Sequence, residues 1–500
     1  MRLIRSQKPK TPDSVWATDG GVYFGFECEE ALHPDRPLEG EWKPTPDMHR
    51  YADDRHLVSV GPSGSGKTRR LLVPNLYLLK NWSIVVVDPK GSLAARTGPY
   101  RAALKNADGT PHKVIVIDPF RVLERDHPEL VERHPFLKSV GFNPLAALDP
   151  DDDDFVDDAK ALADAMIQID AKGERHWAQS AQSLVKGLLM VARIAFEQSS
   201  LSHVRTWLGW EPERLALRIR GQAKGENQFK GWASEFGEDH PAIATSLNRF
   251  GEISPENKEL LSILSTALTQ TDWLDSEPVR TDLARGFFDF GSLKDNPATV
   301  YLILPPNRLS THATWLRIMI TAVLTPLLRS VRRAKVPVLM MLDEFAQLGP
   351  LPVIEKNLGI MREYGIKLWP VFQDLAQAKD IYQTRWESFV GNAGVLQSFA
   401  PHDATTRDYL SKLSGQRLYW QKVTSTGESS SPTQLGTSMS KNIGWQNQQG
   451  PVLWPQALGL METGQSVLFS RGRVVRSLFP DPTELSGVSD MLAQLAEAST

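Results

Sequence analysis

The sequence carries a single cysteine, Cys28, in 500 residues. That excludes an intrachain disulfide and a cysteine-built zinc cluster, and it fits a reducing compartment. There is little excess of either charge: 56 Lys and Arg stand against 59 Asp and Glu, a formal balance of −3. Such a chain is no general polyanion binder, so any nucleic-acid contact must come from a local basic lining. Long apolar runs are missing as well. The greasiest segments, 188–196 and 316–328, are short or broken by Thr, Arg and Pro, and nothing reaches the ~18 residues a membrane span requires. Met1-Arg2-Leu3-Ile4-Arg5 has no apolar stretch behind it, so no signal peptide is expected. No internal repeat is visible. What remains is ordinary globular composition, 41% hydrophobic and 23% charged, in a chain long enough for two or three domains.

Short Val/Ile/Leu runs recur at 57–60, 84–87, 114–117, 300–304, 338–342, 368–372, 395–399 and 467–469. They are continuous, not alternating, which describes strands buried on both faces of a parallel sheet covered by helices. The expected fold is therefore α/β and doubly wound. Between about 149 and 290 no strand-like run appears. Phe155, Ala159, Leu162, Ala163, Met166 and Ile167 share one helical stripe, and Trp177, Ala181, Leu184, Val185, Leu188, Leu189 and Ala192 share another, so an inserted all-α domain is expected there. Residues 1–50 read as an irregular or small β-rich lead-in, 51–148 and 291–485 as the two parts of a nucleotide-binding domain, and 486–500 as a tail. The Ser/Thr/Gly-rich stretch 424–440 reads as the centre of a mobile loop over about 422–450.

Gly61-Pro62-Ser63-Gly64-Ser65-Gly66-Lys67-Thr68, followed by Arg69, matches G-x-x-x-x-G-K-[ST] between an apolar strand and a helix start. By chance the pattern arises roughly three times per hundred thousand positions at average composition. Glycines let backbone N–H groups converge on a phosphate, and the helix N-terminus adds partial positive charge. Lys67 is placed to bridge β- and γ-phosphates, and Thr68 to offer its hydroxyl to Mg²⁺. Asp343 and Glu344 end the apolar run 338–342, where the first carboxylate orients Mg²⁺ and the second polarises attacking water as general base. Gln373, at the end of the run 368–372, is either a γ-phosphate sensor or half of a plain Gln-Asp turn. The acidic run from Asp149 to Asp158 lacks the glycine and terminal glutamate of a calcium loop and reads as acids ahead of a helix.

Asp88-Pro89-Lys90-Gly91, Asn143-Pro144-Leu145, Trp177 with its Ala-rich helix, Leu304-Pro305-Pro306, Leu342-Asp343-Glu344-Phe345 and Phe372-Gln373 occur in this order. Over about residues 51–480 the chain resembles the TraG family of type IV secretion coupling proteins, RecA-like ATPases related to the FtsK/HerA translocases. The resemblance implies ATP and Mg²⁺ as cofactors, Lys67 and Thr68 in the phosphate loop, Asp343 in the Mg²⁺ shell, Glu344 as catalytic carboxylate and Gln373 as sensor. It also implies that Arg362 reaches a neighbouring subunit's nucleotide, which suits a guanidinium that couples turnover to assembly. Arg55 is a weaker candidate for a second nucleotide contact. Two departures stand out: the family's usual transmembrane helices are not seen, and its acidic residue after Asp-Pro-Lys-Gly is Ser92 here.

The expectation is an ATP-driven motor, a homohexamer by resemblance, that pumps single-stranded DNA or a relaxase–DNA or effector protein substrate into a secretion channel. It would work in the cytoplasm at the inner-membrane face, held there by partner proteins or by an N-terminal anchor missing from this sequence. Two alternatives remain: a duplex-DNA translocase or helicase of the FtsK/HerA group, and a substrate receptor that binds nucleotide without acting as a motor.

Overall fold

A computed structural model describes residues 20–28, 44–169, 175–223, 228–252, 254, 257–329, 334–429 and 438–479. Its strands, in chain order, are β1 (Val22–Cys28), β2 (Pro44–Tyr51), β3 (His56–Val60), β4 (Ser83–Val87), β5 (Lys113–Ile117), β6 (Gly221–Gln222), β7 (Phe229–Lys230) and β8 (Ala298–Leu302). They continue as β9 (Val338–Leu342), β10 (Ile366–Phe372), β11 (Ala393–Phe399), β12 (Gln416–Ser429), β13 (Ser438–Pro451), β14 (Gln465–Ser470) and β15 (Arg473–Leu478).

Eleven of these form one sheet in the order β2-β1-β15-β14-β11-β3-β10-β9-β4-β8-β5. From β11 to β5 every neighbouring pair is parallel, and the four strands beyond β11 are antiparallel. The continuous apolar runs are explained by what lies on each face. Along β4, Ile84 and Val86 enter one core while Val85 and Val87 enter the other. A strand covered by helices on both sides has no water-facing side to mark with polar residues. This is the doubly wound, RecA-like architecture expected of the sequence.

The antiparallel extension was only half legible. Tyr23, Phe24 and Phe26 lie on β1, which joins the main sheet through β15, so the described part of the lead-in is integral to it. Trp16, Trp42 and the tail 486–500 lie outside the described residues.

Between Phe155 and Leu283 the described elements are helices and one 3-10 turn, apart from the two-residue strands β6 and β7. The chain enters this segment through Phe142 and Asn143, whose N–H groups donate to the carbonyls of Asp282 and Gly286, where it returns. The Asn143 side chain donates to Ser199 O (2.7 Å) and accepts from Leu145 N (3.1 Å), which accounts for the Asn-Pro entry. The acidic run holds one cation: Arg329, at the end of the helix Pro306–Arg329, reaches Asp152 (3.2 Å), Asp154 (2.9 Å) and Asp158. Among the described residues no cluster of metal-ligating side chains occurs, and no helix is long and apolar enough to cross a membrane.

The expected mobile loop over 422–450 is corrected. Gln416–Ser429 and Ser438–Pro451 pair antiparallel in unbroken register as a two-stranded ribbon; residues 430–437 lie outside the described residues. The Ser/Thr/Gly composition concealed β-branched and aromatic residues, Trp420, Val423, Thr424, Thr426, Ile443 and Trp445, which favour strands over loops.

Candidate functional site

The phosphate loop starts where β3 ends. Gly61 N–H donates to Phe372 O (3.1 Å), tying the loop to the tip of β10. A side chain at Gly61 would run into Phe399, 2.8 Å from an added Cβ, and Gly66 has φ +90°. A helical turn follows at once over Lys67–Leu72, so backbone N–H groups at its start face out of the sheet edge. Lys67 is buried, and its ammonium donates to the carbonyls of Gly61 and Pro62, the latter at 2.9 Å. Burial lowers its pKa, opposed by the nearby charges of Asp343 and Glu344.

Because β10 lies beside β3 and β9 beside β10, all parallel, the tips of the three strands fall at one edge of the sheet. Thr68 Oγ1 donates to Asp343 Oδ2 at 3.4 Å across 275 positions of sequence. Asp343 is buried, and that burial, reinforced by the Glu344 charge, pushes its carboxyl up to about 6. Glu344 takes the left-handed conformation at φ +53°, which costs a non-glycine residue roughly 1–2 kcal/mol. The bend is held by Glu344 N–H donating to Asp343 Oδ1 (3.1 Å). It turns the Glu344 carboxylate toward Gln373, whose Nε2 donates to Glu344 Oε2 at 2.7 Å; Gln347 donates to the same oxygen at 3.2 Å. Beneath them Phe345 packs on Phe372, Tyr382 and Phe389, so the carboxylate pair and the amide stand on one aromatic base.

The structure thus brings Gly61, Pro62, Ser63, Gly64, Ser65, Gly66, Lys67, Thr68, Asp343, Glu344 and Gln373 to one sheet edge, with Arg69 exposed on the first turn. Arg362 and Arg55 lie elsewhere. Both are exposed and precede the first residues of β10 and β3, at the opposite edge from the phosphate loop of the same chain. There the Arg362 charge acts on Asp54 and His56. Ser92 begins the helix Ser92–Ala103 after Gly91, which has φ +66°.

Asp88 directly follows β4, the neighbour of β9 in the sheet. It is fully buried, accepts from Ala94 N–H (2.9 Å), and burial with the Asp343 charge pushes it up to about 7. Its signal was its position, a carboxylate closing an apolar run as Asp343 does.

Comparison with known proteins decides the family. Residues 32–474 match the model of the type IV secretory system conjugative DNA transfer family. The chain belongs to that family. It is 27% identical to the conjugal transfer protein TraG of Escherichia coli over 433 residues, 81% of this chain and 62% of that protein. It is 24% identical to the protein VirD4 of Agrobacterium fabrum over 421 residues, 83% of this chain and 57% of that one. The chain therefore spans about three fifths of the length of the curated relatives it matches. In fold it is similar to the plasmid coupling protein TrwB in complex with a non-hydrolysable ATP analogue. That match has a TM-score of 0.59 and 15% identity, and it covers 92% of this chain and 94% of the other. The same protein in complex with ADP and Mg²⁺ aligns with a TM-score of 0.58 at 16% identity, over 92% and 94% of the two chains.

Proposed function

We propose that this chain is the ATP-hydrolysing part of a conjugative coupling protein, which moves DNA or a relaxase–DNA or effector substrate toward a type IV secretion channel. The observation that carries the reading is the meeting of Thr68, Asp343, Glu344 and Gln373 at one sheet edge. The residues fit a triphosphate. Ser65 Oγ is buried with no hydrogen-bond partner, the glycine turn leaves room for anionic oxygens, and Lys67 is held directly beneath the loop. Lys67 and Thr68 would hold the phosphates and Mg²⁺, with Asp343 behind Thr68; the bound cation supplies charge neutralisation on the phosphate oxygens.

The chain's own chemistry then centres on Glu344. Its carboxylate accepts a proton from the attacking water, and Gln373 fixes its direction and reports the change in charge to β10. Arg362, at the far edge, is exposed where a guanidinium is available to a second copy of the chain, as a trans-acting contact in a ring requires. Grip on DNA that is independent of sequence needs phosphate and stacking contacts only, so a nearly neutral chain suffices.

The test is Glu344→Gln. It retains nucleotide and substrate binding, while ATP turnover and DNA transfer in cells are both lost. Transfer that survives in this variant refutes the motor and leaves the receptor reading. Stronger stimulation of turnover by duplex than by single-stranded DNA favours the duplex translocase.

A further inference from the structure

The β12–β13 ribbon is unlike the rest of the molecule. Side chains alternate along a strand, and Leu418 and Trp420 of β12 fall on the same face as Ile443 and Trp445 of β13 by the observed register. These four are among the most exposed large apolar residues described, Trp420 at 65% and Trp445 at 64%. Trp420 pairs with Asn447 and Lys422 with Trp445, so the two indoles are diagonal neighbours, a spacing at which large rings interact. A lone two-stranded ribbon is marginal in water, and an exposed patch of this kind marks a contact surface.

Charge and composition point to the occupant. Between Gln416 and Pro451 the sequence holds Arg417, Lys422 and Lys441 against Glu428 alone, in a chain that is otherwise slightly acidic. Four consecutive amides, Gln446 to Gln449, follow Trp445. Indoles interleaved with amides and net positive charge suit an anionic polymer that presents flat π faces. They suit a lipid interior or a dry protein interface poorly.

Position supplies the second argument. β11 ends at Phe399 and β14 begins opposite it, Phe399 pairing with Ser466. The excursion that carries the ribbon therefore leaves and rejoins the sheet at the edge holding the phosphate loop. A continuous set of bonds links the two. Gln373 donates to Glu344; Asp374 caps the helix Leu375–Tyr382; Leu375 N–H donates to the buried Thr406 Oγ1 at 2.9 Å. Thr406 belongs to the helix Ala404–Leu413, which runs directly into β12. The ribbon's base is clamped by Val452 N–H on Gly415 O (2.9 Å) and Leu453 N–H on Ser414 Oγ (3.0 Å).

We propose that the β12–β13 ribbon is the element that grips single-stranded DNA, with Trp420 and Trp445 stacking on its bases and the helix Ala404–Leu413 tilting the ribbon as Gln373 follows the nucleotide. This rests on the motor reading above and names the part of the chain that meets the polymer.

The test uses the full chain and fluorescent oligo(dT). Trp420→Ser with Trp445→Ser weakens binding about tenfold or more, since stacking contributes on that scale per base, with an unchanged melting temperature. Trp420→Phe with Trp445→Phe restores much of the affinity, which a merely structural role does not predict. Thr406→Val leaves oligo(dT) affinity in place and lowers the DNA-stimulated increment of turnover.

Affinity of the double Ser variant within about twofold of the parent overturns the proposal while the motor reading stands. A parent chain that fails to bind oligo(dT) overturns both. If oligo(dT) binding is kept but association with phosphatidylglycerol vesicles, or sedimentation as an oligomer, is lost, the face belongs to a membrane or to a second copy instead.

Discussion

Replacing Gln373 by alanine isolates one bond. The Gln373 amide donates to Glu344 Oε2 at 2.7 Å, and a hydrogen bond to a charged acceptor contributes about 1.5–3 kcal/mol. If that bond aims the carboxylate at water in the transition state, its full loss lowers kcat by roughly 10- to 150-fold. Two features favour the lower end. Gln347 donates to the same oxygen at 3.2 Å, and Glu344 keeps its left-handed bend through Asp343, so the base remains near its position. About tenfold is therefore expected in steady-state ATP hydrolysis, with KM and the affinity for a fluorescent nucleotide within about twofold. Gln373→Glu goes further, because a second carboxylate beside Glu344 repels it. Gln347→Ala does less, since that side chain is exposed and water replaces it. A Gln373→Ala enzyme with unchanged kcat, or one whose loss lies wholly in nucleotide affinity, refutes the assignment.

Arg362→Ala is expected to keep nucleotide binding and to lose the rise in ATPase rate that accompanies assembly; a rate that still climbs with protein concentration or added DNA removes Arg362 from the site. Arg329→Ala leaves Asp152, Asp154 and Asp158 facing one another. Because the arginine is partly solvated, the expected loss is about 1–2 kcal/mol by thermal or urea melting, shrinking as salt screens the carboxylates. Lys367 is fully buried, and desolvation, opposed by the charges of Asp53 and Asp54, lowers it from 10.5 to about 7. The unfolded chain then binds the extra proton between about pH 7 and 10, so stability rises with pH across that window. Lys367→Met removes this rise, worth on the order of 5 kcal/mol at most, as urea melts at pH 7 and pH 9.5 would show.

The parallel core was legible because physics leaves the same mark in one dimension as in three. The runs ending at Val60, Val87, Leu342 and Phe372 are apolar without alternation, and each is a strand with a core on both faces. The phosphate loop was legible for a related reason: Gly61, Gly64 and Gly66 answer to steric needs that other residue types meet at a cost. The run 467–469 marked β14, but β1 and β15 were harder, since a pairing between residues some 450 positions apart leaves no local signal beyond scattered aromatics. The ribbon was misread because Ser, Thr and Gly dominate its middle, while the pairing that makes it a strand pair lies in the register of Gln416 to Pro451 and in no single segment.

The site itself depended on strand order, which composition does not encode. Asp343 and Thr68 were each recognisable, but the insertion of β10 between β3 and β9 is what makes Gln373 the strand tip adjacent to both the phosphate loop and the acidic pair. That placement has a mechanical consequence. A change in charge at Glu344 acts on an amide whose strand continues into the helix capped by Asp374, and that helix is bonded to Thr406. Glu344 also sits in a left-handed backbone conformation, its N–H donating to Asp343, so a cation drawing on Asp343 and a proton arriving at Glu344 both act on the same strained turn. The strand tip that holds Glu344 and Gln373 is thereby linked, through bonds and not through distance alone, to the base of the ribbon that carries Trp420 and Trp445.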